Sequence, residues 1–201
     1  MQKELSNFGD HAEVIMQSNV AGAESVGIEG HYHVVCRDAD GNIKWEDQFP
    51  NLVNAIGKEL MLDTLLSGTS YTTVGPFLGL ISGASPTFSA SDTMASHGGW
   101  TEFTNYTVGG SAVRGTASFS AATSTGSTPT NVTTKTASAI TYTITGGGGT
   151  VGGCFLVTGS GASSTQGNTS GTLYSAGAFA TAKITTAGDT VSVTYSTTAT
   201  S

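Results

Sequence analysis

The chain has 201 residues, a formal net charge of −7 and only 10% charged side chains, against about 25% in an average soluble protein. Its 24 Ser, 33 Thr and 28 Gly supply most of the polarity. One domain of this length buries a core without disulfide or metal staples. No basic stripe suits phosphates, which argues against a nucleic-acid partner. No apolar run approaches the ~20 residues needed to cross a bilayer, which argues against a membrane partner.

The charge is lopsided. Residues 1–66 hold four Lys or Arg against eleven Asp or Glu. Residues 67–201 hold three of each sign: Arg114, Lys135 and Lys183 against Asp92, Glu102 and Asp189. All of the net charge therefore lies in the first third.

Residues 1–30 mix charges with Gly22, Gly27 and Gly30 and sustain no period of 2 or 3.6, so they are expected to form an acidic N-terminal arm ahead of one domain, 31–201. The start has no apolar core, so no secretory signal is expected and synthesis in a reducing cytoplasm is the default. Cys36 and Cys154 are then expected to be buried free thiols. Next comes a predicted hairpin over 31–49, with strands His31–Cys36 and Ile43–Phe49 joined through Asp38-Ala39-Asp40-Gly41-Asn42. Pro50 is expected to stop the second strand and Asn51 to cap a helix over about 51–66. The spacing of Leu52, Val53, Ile56, Leu60, Leu65 and Leu66 predicts an apolar stripe packed on a sheet.

From Tyr71 onward the pattern is β. Phe77–Ile81 reads as a short buried strand, and 92–98 as one helical turn between Asp92 and Gly98. Further strands are predicted over about 100–107, 112–120, 132–145, 150–158, 172–185 and 190–197, with Ser/Thr/Gly loops at 121–130, 146–149 and 159–171. Ile140, Tyr142 and Ile144 alternate with threonines, and Val191, Val193 and Tyr195 with Ser192, Thr194 and Ser196. One buried and one wet face per strand implies antiparallel sheets. The fold class expected is mainly β, an antiparallel β-sandwich or jelly roll with one α-helix and an extended arm.

Chemical motifs are sparse. Gly147–Gly152 fits G-x-G-x-x-G, but a strand follows where a nucleotide fingerprint needs a helix, so a hairpin turn is the reading. His31, His33 and Cys36 are metal-ligand types without a second cluster, and read as ordinary strand residues. Asp38, Asp40 and Asn42 open like a calcium loop, but Gly41 comes too early and Phe49 stands where the bidentate carboxylate belongs. Asp92, Ser96 and His97 are neighbours on a turn, and Asp92, Glu102 and Asp189 are the only acids after residue 66. The sequons at Asn105, Asn131 and Asn168 are chance matches in a Thr-rich chain. No catalytic, cofactor-binding or metal residue is assigned, and no cofactor is expected.

The order His31-Tyr-His-Val-Val35, Asp40-Gly-Asn-Ile-Lys-Trp45, Asn51-Leu-Val-Asn54, Gly57, Leu62-Asp-Thr-Leu-Leu66, Phe77-Leu-Gly-Leu-Ile81, Ala90-Ser-Asp-Thr-Met-Ala-Ser-His-Gly-Gly-Trp100-Thr-Glu102 and Gly188-Asp-Thr-Val-Ser-Val193 resembles tailed-bacteriophage virion structural proteins. The likeness spans about 30–195, and 92–102 is its most specific part. It implies a small β-sandwich capsid decoration (cement) protein on the virion exterior. Its partners would be the major capsid protein and further copies of itself, as a dimer or trimer. A tail, fibre or baseplate component is the alternative; less favoured is a carbohydrate-binding module presenting Trp100, Tyr106 and Tyr174.

Overall fold

The structure is a computed structural model and describes residues 27–67, 74–125 and 132–200. Residues 1–26 of the expected arm lie outside it. Twelve antiparallel strands and one helix are described: β1 (Gly27–Arg37), β2 (Ile43–Val53), α1 (Ala55–Leu66), β3 (Phe77–Ser82), β4 (Thr101–Phe103), β5 (Tyr106–Thr107), β6 (Gly115–Thr116), β7 (Thr123–Thr125), β8 (Val132–Thr136), β9 (Ile140–Ile144), β10 (Gly149–Thr158), β11 (Thr172–Thr185) and β12 (Thr190–Thr200). The pairing order is β4-β3-β10-β11-β2-β1-β12-β8-β7, with β9 on β12, β5 on β9 and β6 on β3.

This sheet folds into two facing layers, and the mainly β antiparallel expectation holds. The layers join where Leu52 and Val53 of β2 meet Ala176 and Ser175 of β11. On the far side, β6 pairs with β3 while Phe119 bridges Ala137 beside β8. The two-layer sheet therefore closes nearly into a barrel. Tyr32, Val34, Ile140, Tyr142, Val191, Val193 and Tyr195 of one layer meet Leu78, Leu80, Val151, Cys154 and Leu156 of the other in the main core. Fully burying each aliphatic side chain there contributes about 1.5–3 kcal/mol. Two tyrosines bond across the layers: Tyr142 Oη donates to Leu78 O at 2.7 Å, and Tyr32 Oη lies 3.1 Å from Ser175 Oγ. A slip of register would leave both hydroxyls unpaired in an apolar interior, which penalises it.

The alternation predicted for β9 and β12 is observed, but the layer built on β3 and β10 departs from it. All eight residues Val151–Thr158 are buried. The reason is a second core, in which Ile81, Met94, Trp100, Phe155, Val157, Ala162, Leu173 and Ala176 pack beneath the segments between β3 and β4 and between β10 and β11. Loops thus cover the face that alternation would have left wet.

Several element boundaries are corrected. β1 begins at Gly27, so residues 27–30 belong to the sheet and not to the arm. Pro50 does not end β2, which runs on to Val53. β11 pairs with β2 only at Leu52 and Val53, so at Pro50 the strand is an edge and tolerates a residue without N–H. Helix α1 starts at Ala55 after Asn54, not after Asn51. The predicted stripe had counted Leu52 and Val53, which are strand residues. Asp92–Gly98 is no helical turn; Thr93 and Ser96 exchange backbone hydrogen bonds of 2.9 and 3.2 Å in a tight reversal. The strand predicted over 132–145 divides at Ala137–Ala139, that over 112–120 shrinks to β6, and β7 occupies part of the loop predicted at 121–130.

Candidate functional site

Helix α1 comes closest to the sheet near its start. Asn54 N–H donates to Tyr174 O at 3.0 Å, and Gly57 is the helix's only buried residue. A Cβ at Gly57 would stand 2.8 Å from Tyr174 O. Glycine there lets the helix backbone approach the strand. Asn54 Nδ2 donates to Ser89 O and Asp92 O at 3.1 and 3.2 Å, so its side chain ties the helix start to the loop before β4 instead of capping it. Gly57→Ala gains about 1 kcal/mol of helix propensity, but overpacking against a backbone carbonyl costs about 1–3 kcal/mol. A net loss in a thermal melt is the expected result.

Because close backbone approach is limited to this point, the predicted apolar stripe is only partly packed: Ile56, Leu60 and Met61 are half-buried and none is fully buried. Ile56, Leu60, Met61, Leu62, Leu65 and Leu66 spread around the helix, and Leu62, Leu65 and Leu66 are 57%, 74% and 79% exposed. Between the helix and the open end of the sandwich lies an apolar groove of about 350 Å³. Leu60, Met61 and Leu65 form one wall; Leu156, Tyr174 and Tyr195 are prominent on the other side. Among the described residues, Lys135 is the only charged one lining it. The Tyr174 hydroxyl donates to Met61 Sδ at 3.6 Å, and Asn51 Nδ2 donates to Tyr195 Oη at 3.3 Å. Burial pushes the Tyr195 phenol up to about 12, so it is neutral.

The motifs of the sequence lie apart. His31 is exposed, His33 Nε2–H donates to Glu46 Oε1 at 2.7 Å, and Cys36 faces the core on the opposite side of β1. Both cysteines are free and buried. Burial pushes the Cys36 thiol up to about 11 and the Cys154 thiol well above the ordinary range, so both stay protonated and unreactive. Asp38 Oδ1 accepts the N–H groups of Asp40 and Asn42 at 3.0 and 2.9 Å, making the hairpin turn expected there. The glycine run is a turn but not a hairpin: it links β9, which lies on β12, to β10, which lies between β3 and β11. Turn chemistry marks a tight bend without saying whether the flanking strands pair.

Asp92 Oδ2 accepts Ser89 N–H at 3.0 Å, while the His97 ring stacks on Trp100 at 3.8 Å and donates through Nδ1 to Trp100 O. Trp100 and Tyr106 are 4% and 1% exposed; Tyr174 is half-buried at the groove. Among the described residues, no group of three or more His, Cys, Asp or Glu gathers as a metal site.

The sequence did not reveal how the body uses its few charges. Arg114 is fully buried and donates through Nε and Nη2 to both oxygens of Glu102, at 2.9 and 2.7 Å. It also donates to Ser163 O and Asn168 O, pinning the loop before β11 to β4. Buried Asp189 accepts from Lys44 Nζ at 2.6 Å and from Thr186 N–H at 2.8 Å. Burial works against its ionised form, but these hydrogen bonds outweigh burial and hold its carboxyl below the usual range. Lys183 pairs with Asp47 at 2.7 Å. The only signal was scarcity: a lone arginine in a neutral β stretch has to find a partner when buried. No family model, curated protein or solved structure matches the chain.

Proposed function

We propose that the chain is a non-enzymatic virion structural protein that decorates and cements a tailed-phage capsid by bridging neighbouring major capsid subunits. The carrying observation is the last turns of α1, where Leu62 and Leu66 stand exposed at helical spacing beside Leu65 at the groove edge, on a hydroxyl-rich body. A grouped apolar patch of this kind marks a protein contact. The resemblance over about 30–195 supplies the kind of partner. Neutral Ser and Thr lose little on desolvation compared with Lys and Glu, which suits wide polar contacts around that patch. The acidic first third favours a basic shell surface, with an attraction that salt screens. Acids after residue 66 are engaged by Ser89, Arg114 and Lys44, and both thiols are protonated, which supports a role without chemistry. The carbohydrate reading is weakened because two of its three aromatic rings are buried.

Quantitative mass spectrometry of purified particles tests the proposal. The expected result is a copy number comparable with that of the major capsid protein; a handful of copies would assign the chain to the tail instead. Leu62→Ser/Leu66→Ser should leave the melting curve almost unchanged while weakening attachment to particles about tenfold or more, given that each buried leucine contributes roughly 1.5–3 kcal/mol.

A further inference from the structure

We infer that the apolar groove beneath α1 is the docking site of the chain's own segment Glu13-Val14-Ile15-Met16. The groove opens at the end of the sandwich where the N-terminal segment enters the sheet. In register across three strands lie Lys135, Thr197 and Gly30, and one step outward Ala199 pairs with Ile28. Thr197 and Lys135 line the groove. Period 2 puts Ala199 on the face of Thr197 and Tyr195, and Ile28 on the face of Gly30 and Tyr32. Ile28 and Ala199 are half-buried, so the apolar surface continues from the groove to the point where residue 26 precedes β1.

The occupant follows from what the preceding chain offers. Residues 1–26 contain one run of three consecutive large aliphatic side chains, Val14-Ile15-Met16, and Glu13 stands directly before it. An apolar groove with a single cation at its rim takes an apolar segment bearing one acid, and Lys135 has no ion-pair partner among the described residues. Ten residues, 17–26, separate the run from β1. Extended, they span up to roughly 33–36 Å, whereas Gly27 and Gly30 lie about 10 Å apart along the strand. A tether that spans its gap with slack gives a high effective concentration, so a short segment binds without a large interface.

The test is disulfide trapping in the full chain. Cys36 and Cys154 are buried and do not compete. Ile15→Cys is combined with Thr64→Cys, inside the groove, or with Leu62→Cys, exposed on α1 outside it, and each pair is oxidised by air with copper-phenanthroline. Docking predicts that the Thr64→Cys pair closes an intramolecular bridge about tenfold faster than the Leu62→Cys pair, as a raised effective concentration requires. Equal rates for the two pairs would overturn the inference. Bridged dimers at the Thr64 position would overturn it too, by assigning the groove to the segment of a second copy. Neither result bears on the copy number in particles, so this inference and the capsid proposal fail separately.

Discussion

Replacing Glu102 with Leu is expected to lower stability by about 3–5 kcal/mol, because it leaves the Arg114 guanidinium buried and short of its counter-ion. Arg114 has no exposed side-chain surface and Glu102 only 7%, so water cannot take the place of the lost carboxylate. The remaining partners, Ser163 O and Asn168 O, are neutral carbonyls and do not balance the charge. Glu102 also accepts Gly167 N–H at 2.7 Å, which holds the same loop. For a chain of this size about 1 kcal/mol corresponds to roughly 2–4 °C, so the melting temperature should fall by about 6–20 °C. Glu102→Leu/Arg114→Met removes both charges and should lose less than the single variant, since a buried pair replaced by apolar groups is often close to neutral. If the double variant melts lower than Glu102→Leu alone, the loss comes from the carbonyls and not from an unpaired charge. Differential scanning fluorimetry of the two proteins decides between them.

How much of this was legible in the sequence varied by element. Strands with one wet face announced themselves: Thr141 and Thr143 between Ile140, Tyr142 and Ile144 carry period 2 because solvent selects one face. β10 carried no such signal, since Gly152-Gly153-Cys154-Phe155-Leu156-Val157 is covered on both sides. The helix start was misplaced for a related reason. Leu52 and Val53 sit at spacings that suit either a helix or a strand, and only their pairing with Ala176 and Ser175 separates the two. Arg114 with Glu102 and Lys44 with Asp189 were invisible because a pair 12 or 145 residues apart has no local pattern. The groove was equally hidden. Leu60 and Leu65 looked like core residues, and a helix whose backbone comes closest to its sheet at a glycine near its start leaves Leu60 half-buried and Leu65 exposed.

Phe155→Ala should cost about 3–5 kcal/mol, the range for truncating a fully buried aromatic ring. Phe155 anchors the second core: its ring centroid lies 5.1 Å from that of Trp100, and the Arg114 guanidinium carbon sits 5.1 Å above it. It also covers Gly79, its cross-strand partner on β3. A Cβ at Gly79 would stand 2.4 Å from the ring, so Gly79→Ala alone is destabilising. Gly79 has no left-handed φ, so its backbone does not require glycine. The ring does. Once Phe155 is truncated that contact is gone, and the next close atom, Glu102 Oε1 at 3.2 Å, has only a few tenths of an ångström to give. Gly79→Ala should therefore change sign with background: destabilising in the wild type, neutral or stabilising in Phe155→Ala, where the added methyl refills part of the void. A cycle of four urea melts measures this coupling. Equal losses in both backgrounds would mean that the ring does not dictate the glycine, and that the face of β3 and β10 is closed by the loops above it rather than by Phe155.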